Sequence, residues 1–309
     1  SKLSITGEGG SSYTLTSSDV EVGSSTTFSV TLNAADQLNV GGLLNKNGTS
    51  SDGGTTYNLA AADNWLAGAA ASADISDASS NGITVSNVAN PTLSSAVYDA
   101  ASGELTVTGT NFVRKNGSSN DIDASKLLIT GDDGSSYTLT TADEDIISGT
   151  QFILTLNATD RLNLGGLLNK NGTSSDGGTT YNLAAADNWL AGAAASADIS
   201  DTSGNGITVS NVANPTLSSA AFNASSGVLT VTGTNFVKEN GSNNDIDISK
   251  LSITGEGGSS YTLTSSDVEV GSSTTFSVTL NAADQLNVGG LLNKNGTSSD
   301  GGTTYNLAA

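Results

Sequence analysis

Over residues 103–109, Gly-Glu-Leu-Thr-Val-Thr-Gly, apolar and polar side chains alternate with a period of two, which predicts a half-buried strand entered from a glycine turn. Residues 126–130 (KLLIT) predict a second strand, and Asp132-Asp133-Gly134 supplies hairpin chemistry leading into a third at 136–140 (SYTLT). Phe152, Leu154 and Leu156 share one face of another strand. Ile153, on the opposite face, is matched by Ser29 and Ser277 at equivalent points of the chain, which fixes the register because an essential core position would not accept Ser. Residues 179–183 and 206–212 (GITVSNV) complete the strand set. One stretch has a different period: residues 157–170 place leucines at 162, 164, 167 and 168, close to helical spacing, with Asn157 or Thr159 as the cap. Gly165 and Gly166 each cost a helix about 1 kcal/mol relative to Ala, so the prediction is a short helix that depends on tertiary packing. The alanine-rich residues 184–197 fit either a helical turn or an irregular crossing loop.

The pattern recurs. Residues 1–61 return letter for letter at 249–309, and a diverged copy opens at Ser125, so equivalent residues are 124 apart. That period exceeds the roughly 20–50 residues of solenoid and propeller units and is long enough for a domain with its own core. Pro91 and Pro215, the only prolines, occupy one position of the repeat, in NVANPTLSS, and mark a unit boundary. The expected organisation is therefore a partial repeat over 1–89, lacking its first strands, a complete one over 90–213, and a partial one over 214–309, lacking its last strand. Two readings of the broken ends follow: a segment of a much longer repetitive protein, or ends completed by strands exchanged between neighbouring molecules.

Thirty acidic and ten basic residues give a net charge of −20, and the complete repeat alone carries fourteen acidic and five basic residues. Such a chain repels nucleic acid and anionic membrane surfaces, so neither is an expected partner, while the charge favours solubility and attracts Ca²⁺. Cys, Met and His are absent, so stability comes from packing, backbone pairing or metal, and the poverty in oxidisable side chains fits a location outside the cell. No apolar run approaches the roughly 20 residues that a membrane-spanning helix needs, and no insertion is expected.

About seven short strands and a helical insertion in each repeat predict an all-β chain of tandem β-sandwiches with Greek-key connections. SGELTVTGTNFV at residues 102–113 and SGVLTVTGTNFV at 226–237 resemble the glycine-turn, strand and TGTNF signature of TIG/IPT-type immunoglobulin-like domains. With NDID, SKL, TGEGG, YTLT and LLNKNGTSS, the whole unit resembles repeats of giant bacterial surface proteins of the type I secreted adhesin kind. That resemblance implies tandem Ig-like domains on the cell surface, in a stalk that serves adhesion or a biofilm matrix and is stiffened by Ca²⁺. The nonapeptide GGxGxDxUx of calcium β-rolls is missing.

The densest group of hard oxygen donors is Asn116-Gly-Ser-Ser-Asn-Asp-Ile-Asp123, copied at residues 240–247. Asp121 and Asp123 lie two apart, so an extended backbone directs both the same way, and with Asn120 they form a candidate Ca²⁺ site; Asn244, Asp245 and Asp247 are its counterpart. The plain alternative is a solvated Asx-rich turn. Asp198 and Asp201 are a second candidate, where metal between domains would rigidify an array. The loop over residues 170–178 (KNGTSSDGG), with copies at Lys46 and Lys294, lacks the GxxxxGK[ST] order of a phosphate cradle and reads as a long surface turn. Trp65 and Trp189 occur at ADNWLAG, read as core or inter-domain contacts, with sugar stacking the functional alternative.

Without His or Cys, triads and zinc sites have no ligands, and no SxxK stands in a helical setting, so the expectation is non-enzymatic. The leading reading is a structural extracellular stalk or filament whose partners are neighbouring copies of itself, head to tail or lateral. The alternatives are a multivalent module for host or matrix glycans or a protein partner, gaining by avidity, and a sheath or S-layer-like lattice protein.

Overall fold

The computed structural model describes residues 2–309 and is mostly β-sheet, in several sheets, with three α-helices among the described residues. The N-terminal stretch holds β1 (Leu3–Thr6), β2 (Ser12–Thr14), α1 (Ala34–Leu43) and β3 (Asn58–Ala61). The middle repeat follows with β4 (Thr92–Asp99), β5 (Glu104–Thr110), β6 (Leu127–Thr130), β7 (Ser136–Thr138), β8 (Ile146–Ser148), β9 (Gln151–Thr155), α2 (Ala158–Leu167), β10 (Asn182–Ala185) and β11 (Gly206–Ser210). The last stretch adds β12 (Thr216–Asn223), β13 (Val228–Thr234), β14 (Ser252–Thr254), β15 (Ser260–Thr262), β16 (Thr275–Thr279), α3 (Ala282–Leu291) and β17 (Asn306–Ala308). The chain clusters into two compact units whose boundary falls inside the middle repeat, with α2 belonging to the second.

In the first unit a small antiparallel sheet runs β2-β1-β3, and a larger one carries β6, β10, β11, β4, β5, β9 and β8 in that spatial order. The alternation read at residues 103–109 is realised in β5, where Leu105 and Val107 are fully buried between outward Thr residues. Phe152, Leu154 and Leu156 likewise face inward. Trp189 is fully buried, edge-on to Phe112 with ring centres 5.5 Å apart, and donates its indole N–H to the Ile199 carbonyl at 2.8 Å. The alanine-rich stretch contributes β10 and then a turn-rich crossing with no helix. Two strands escaped the sequence pattern: β4, whose Ser-Ser pair hides the period of two behind a register shift between Leu93 and Ser95, and the three-residue β8.

The second unit contains the sheets β12-β13-β16 and β15-β14-β17 around a core that includes Leu229, Val231, Phe236, Ile253, Phe276 and Val288, with Leu162 of α2 packed against it.

Each helix is anchored through an acid at its first turn. Asn33 caps α1 by accepting from the Asp36 N–H, and the fully buried Asp36 accepts from the backbone and hydroxyls of Thr16 and Ser17 and from the Tyr13 hydroxyl. Asp284 of α3 repeats this set with Thr264, Ser265 and Tyr261, and Asp160 of α2 accepts from the Tyr137 hydroxyl at 2.9 Å. Burial opposes ionisation of Asp36 and Asp284, but the hydroxyl and backbone donors outweigh it and hold both carboxyls below their ordinary value.

A depressed folded pKa contributes stability that is complete above the unfolded value of about 3.9 and is lost as pH falls through the lower folded value. Urea denaturation is therefore expected to show stability nearly flat from neutral pH down to about pH 5 and falling steeply below about pH 4. Asp284→Asn is expected to cost about 3 kcal/mol at pH 7 and to flatten the acid limb in the second unit; an unchanged acid limb would show that the carboxylate is not the anchor.

Candidate functional site

The arrangement that recurs with the same geometry is the contact that α1 and α2 each make with the repeat that follows in sequence. In α1, a Cβ added at Gly41 would meet Val113 Cγ1 at 2.5 Å, and one at Gly42 would run into the Arg114 carbonyl oxygen. In α2, Gly165 stands in the same relation to Val237 Cγ1, at 2.6 Å, and Gly166 to the Lys238 carbonyl. The approach is close enough for backbone pairing: the Arg114 N–H donates to the Leu38 carbonyl at 3.0 Å, and the Lys238 N–H to the Leu162 carbonyl at 3.1 Å. Glycine pairs that weaken an isolated helix are thus the means by which it reaches another backbone.

The receiving segment is the Asn-Phe-Val that ends each TGTNFV signature. Asn111 takes a left-handed conformation, with φ at 58°, and ties its side-chain amide to the Asn90 carbonyl at 3.0 Å; Asn235 does the same with Asn214. Phe112 then enters the core and its N–H donates to the Gly149 carbonyl, which leaves Val113 and Arg114 to meet α1. Arg114 is steadied from behind, its Nη2 donating to the Ile146 carbonyl at 2.8 Å and its Nε lying 3.5 Å from the buried Asp121 carboxylate. A further tie joins the first two repeats: Asp52 accepts from the Ser196 N–H at 2.9 Å and from its hydroxyl. That hydroxyl contact, more than any other, lowers the Asp52 pKa.

The candidate Ca²⁺ residues serve other partners. Asp121 accepts from the backbone N–H groups of Lys115 and Ile146 and faces Arg114; burial pushes its carboxyl above the ordinary value despite those donors. Asp123 instead caps the short helical turn Ala124–Lys126, accepting from Ser125, so the two carboxylates serve separate hydrogen-bond sets rather than converging. Asn120 donates its amide to the Asn116 carbonyl, and its Oδ1 is buried without a partner. In the counterpart loop Asp245 accepts from Glu239 and Val270, Asp247 caps at Ser249, and Asn244 donates to the Asn240 carbonyl. Asp198 closes an Asx turn on Ser200, and Asp201 accepts from the Leu93 N–H and the Asn205 amide, tying the end of the middle repeat to its start. With Arg114 beside Asp121 and the other oxygens engaged, these residues do not fit a Ca²⁺ cage, and no group of three or more His, Cys, Asp or Glu side chains able to hold a metal occurs among the described residues.

The signature, the glycine pair and the KNGTSSDGG loop each stand out in the sequence, but nothing local joins them. Their common role lies in contacts 70 or more residues apart in sequence, a relation that no local pattern expresses. Comparison with protein-family models and with curated proteins finds no match. No helix among the described residues is long and apolar enough to cross a membrane.

The identical helices α1 and α3 provide an internal control, because Gly289 and Gly290 have nothing within 4 Å of an added Cβ. Gly42→Ala is expected to destabilise the first unit by about 1–3 kcal/mol through overpacking, whereas Gly290→Ala is expected to be neutral or stabilising by up to about 1 kcal/mol. Hydrogen exchange resolved to the two helices would distinguish them, and equal effects would remove the contact as an explanation for the glycines. Calorimetry in Ca²⁺ and in EDTA is expected to give the same melting temperature; a rise with Ca²⁺ would return the acidic loops to consideration.

Proposed function

We propose that the chain is a structural, non-catalytic stretch of a repeat array, working as a stalk or filament of a bacterial surface adhesin or fibre outside the cell. In this reading each 124-residue repeat is an Ig-like, two-layer sandwich of the TIG/IPT type. The observation that carries it is the recurrence of one joint: twice in the chain, a helical Gly-Gly pair meets the Val-Arg or Val-Lys backbone of the following repeat with matching hydrogen bonds. A contact that repeats with the sequence period can be extended indefinitely, so length follows copy number.

The charge supports an exposed, soluble polymer, since its acidity is present in every repeat. Trp189 and Tyr181, the aromatics best suited to stack on a sugar, are fully buried and present no face to a glycan.

Single-molecule pulling tests the mechanical role. Extended between its ends, the chain is expected to resist and then lengthen in steps, with the complete repeat contributing about 400 Å as its 124 residues straighten. Extension without discrete steps, or only in steps far shorter than a repeat, would rule out a load-bearing stalk.

A further inference from the structure

The last repeat contains a slot shaped for a strand. In the middle repeat β11 lies between β10 and β4, with Ile207 and Val209 fully buried. In the second unit the counterparts of those neighbours, β17 and β12, belong to separate sheets, and a cavity of about 540 Å³ opens between them. Its walls include Leu217, Ala220 and Phe222 of β12 and Leu307 of β17. Leu93, Ala96 and Tyr98, the equivalents of the three β12 residues, are buried in β4, whereas Ala220 is exposed and Leu217 and Phe222 are half-buried.

A polar clamp at the slot's rim points to the same occupant. In the first repeat Gly48 exchanges backbone hydrogen bonds with Val85, and the Asn47 side chain accepts from the Val88 N–H. In the middle repeat Gly172 does so with Val209, and Asn171 with Val212. Gly296 has the same backbone twist, φ 119° against 115° and 116°, and lines the cavity together with Asn295; neither has a hydrogen-bond partner among the described residues. Two hydrogen-bonding groups of the backbone, one side-chain acceptor and an apolar trough are thus set for a strand of sequence Gly-Ile-Thr-Val-Ser-Asn-Val.

The geometry points to residues 82–88 of a second copy of this chain as that strand. They carry the same seven residues as 206–212, yet they are held only by isolated bridges at Gly82 and Val85, with Ile83 and Val85 half-buried and Val88 37 % exposed. The uncovered trough of one copy and the loosely held strand of another are complementary, and seating one on the other completes an apolar surface on both. This inference rests on the repeat reading above and adds non-covalent, end-to-end association between chains.

Sedimentation of the 309-residue chain over a wide concentration range tests it, with a peptide of residues 81–88 as competitor. Reversible self-association, displaced by the peptide, is expected, together with a rise in melting temperature on peptide binding. Ala220→Arg, at an exposed position in the trough, is expected to weaken peptide binding by about tenfold or more, and Asn295→Ala to weaken it less. A peptide with Lys in place of Val85 should not compete. A chain that stays monomeric at all concentrations, or whose association ignores both the peptide and Ala220→Arg, overturns the proposal. Peptide binding by a chain that remains monomeric overturns the second copy as donor. The stepwise pulling response reads each chain by itself, so the stalk stands or falls independently of either failure.

Discussion

The close approach of a helix to a neighbouring backbone is the constraint from which much of the architecture follows. At Gly42 and Gly166 an added methyl group would occupy the space of a carbonyl oxygen, so the contact exists only while both positions lack a side chain. This explains why a helix of ten residues, already short, carries two residues that each cost it about 1 kcal/mol. The loss of intrinsic helicity is offset by partners on both sides: the buried acid at the first turn fixes the helix to its own repeat, and the glycine pair fixes it to the next.

The two anchors differ in kind. The glycine contact is steric and insensitive to pH, whereas the Asp36 and Asp284 clusters depend on an ionised carboxylate surrounded by hydroxyl and amide donors. A chain with a net charge of −20 would be expected to gain stability as acid neutralises its mutual repulsion. Here the buried carboxylates set the opposite trend at low pH, because each supplies most of the acceptors for its helix entry.

Much of the β-structure was legible in the sequence because it is local: the alternation in β5, the shared face of Phe152 and Leu154, and the turn at Asp132-Asp133-Gly134 each declare themselves within a few residues. β4 was hidden by its bulge. The candidate site was only partly legible. Its residue types stood out, but acidic loops looked like cation ligands because sequence shows which oxygens are close in the chain and not which donors reach them. Asp121 illustrates this: its decisive neighbours are the Ile146 N–H, twenty-five residues away, and the Arg114 side chain, whose pairing depends on where Phe112 is buried. The acid at the helix start did have a signal, the Asn-x-x-Asp spacing of a capping box at Asn33 and Asp36, together with Thr-Ser twenty residues earlier in the same repeat.

The exact duplication of residues 1–61 at 249–309 separates local from tertiary causes more sharply than any substitution. Both copies form the same first strand, the same short helical turn after it and the same ten-residue helix, so those elements follow from local sequence and its immediate contacts. Thr-Phe-Ser-Val-Thr does not behave alike: at Thr275–Thr279 it is a strand paired with β13, whereas at residues 27–31 it makes only an isolated bridge through Phe28. Nothing in the five residues differs; what differs is that one copy has Val228–Thr232 to pair with. Leu38 and Leu286 give the converse on the helix, the first shielded where α1 meets Val113 and Arg114, the second 80 % exposed on α3, whose glycine pair has no such contact among the described residues. In this chain the repeat's sequence encodes which surfaces are ready to be covered, and its neighbours decide which of them are. Completion by a neighbour is therefore a property of the repeat itself, which is what an array that grows by adding copies requires.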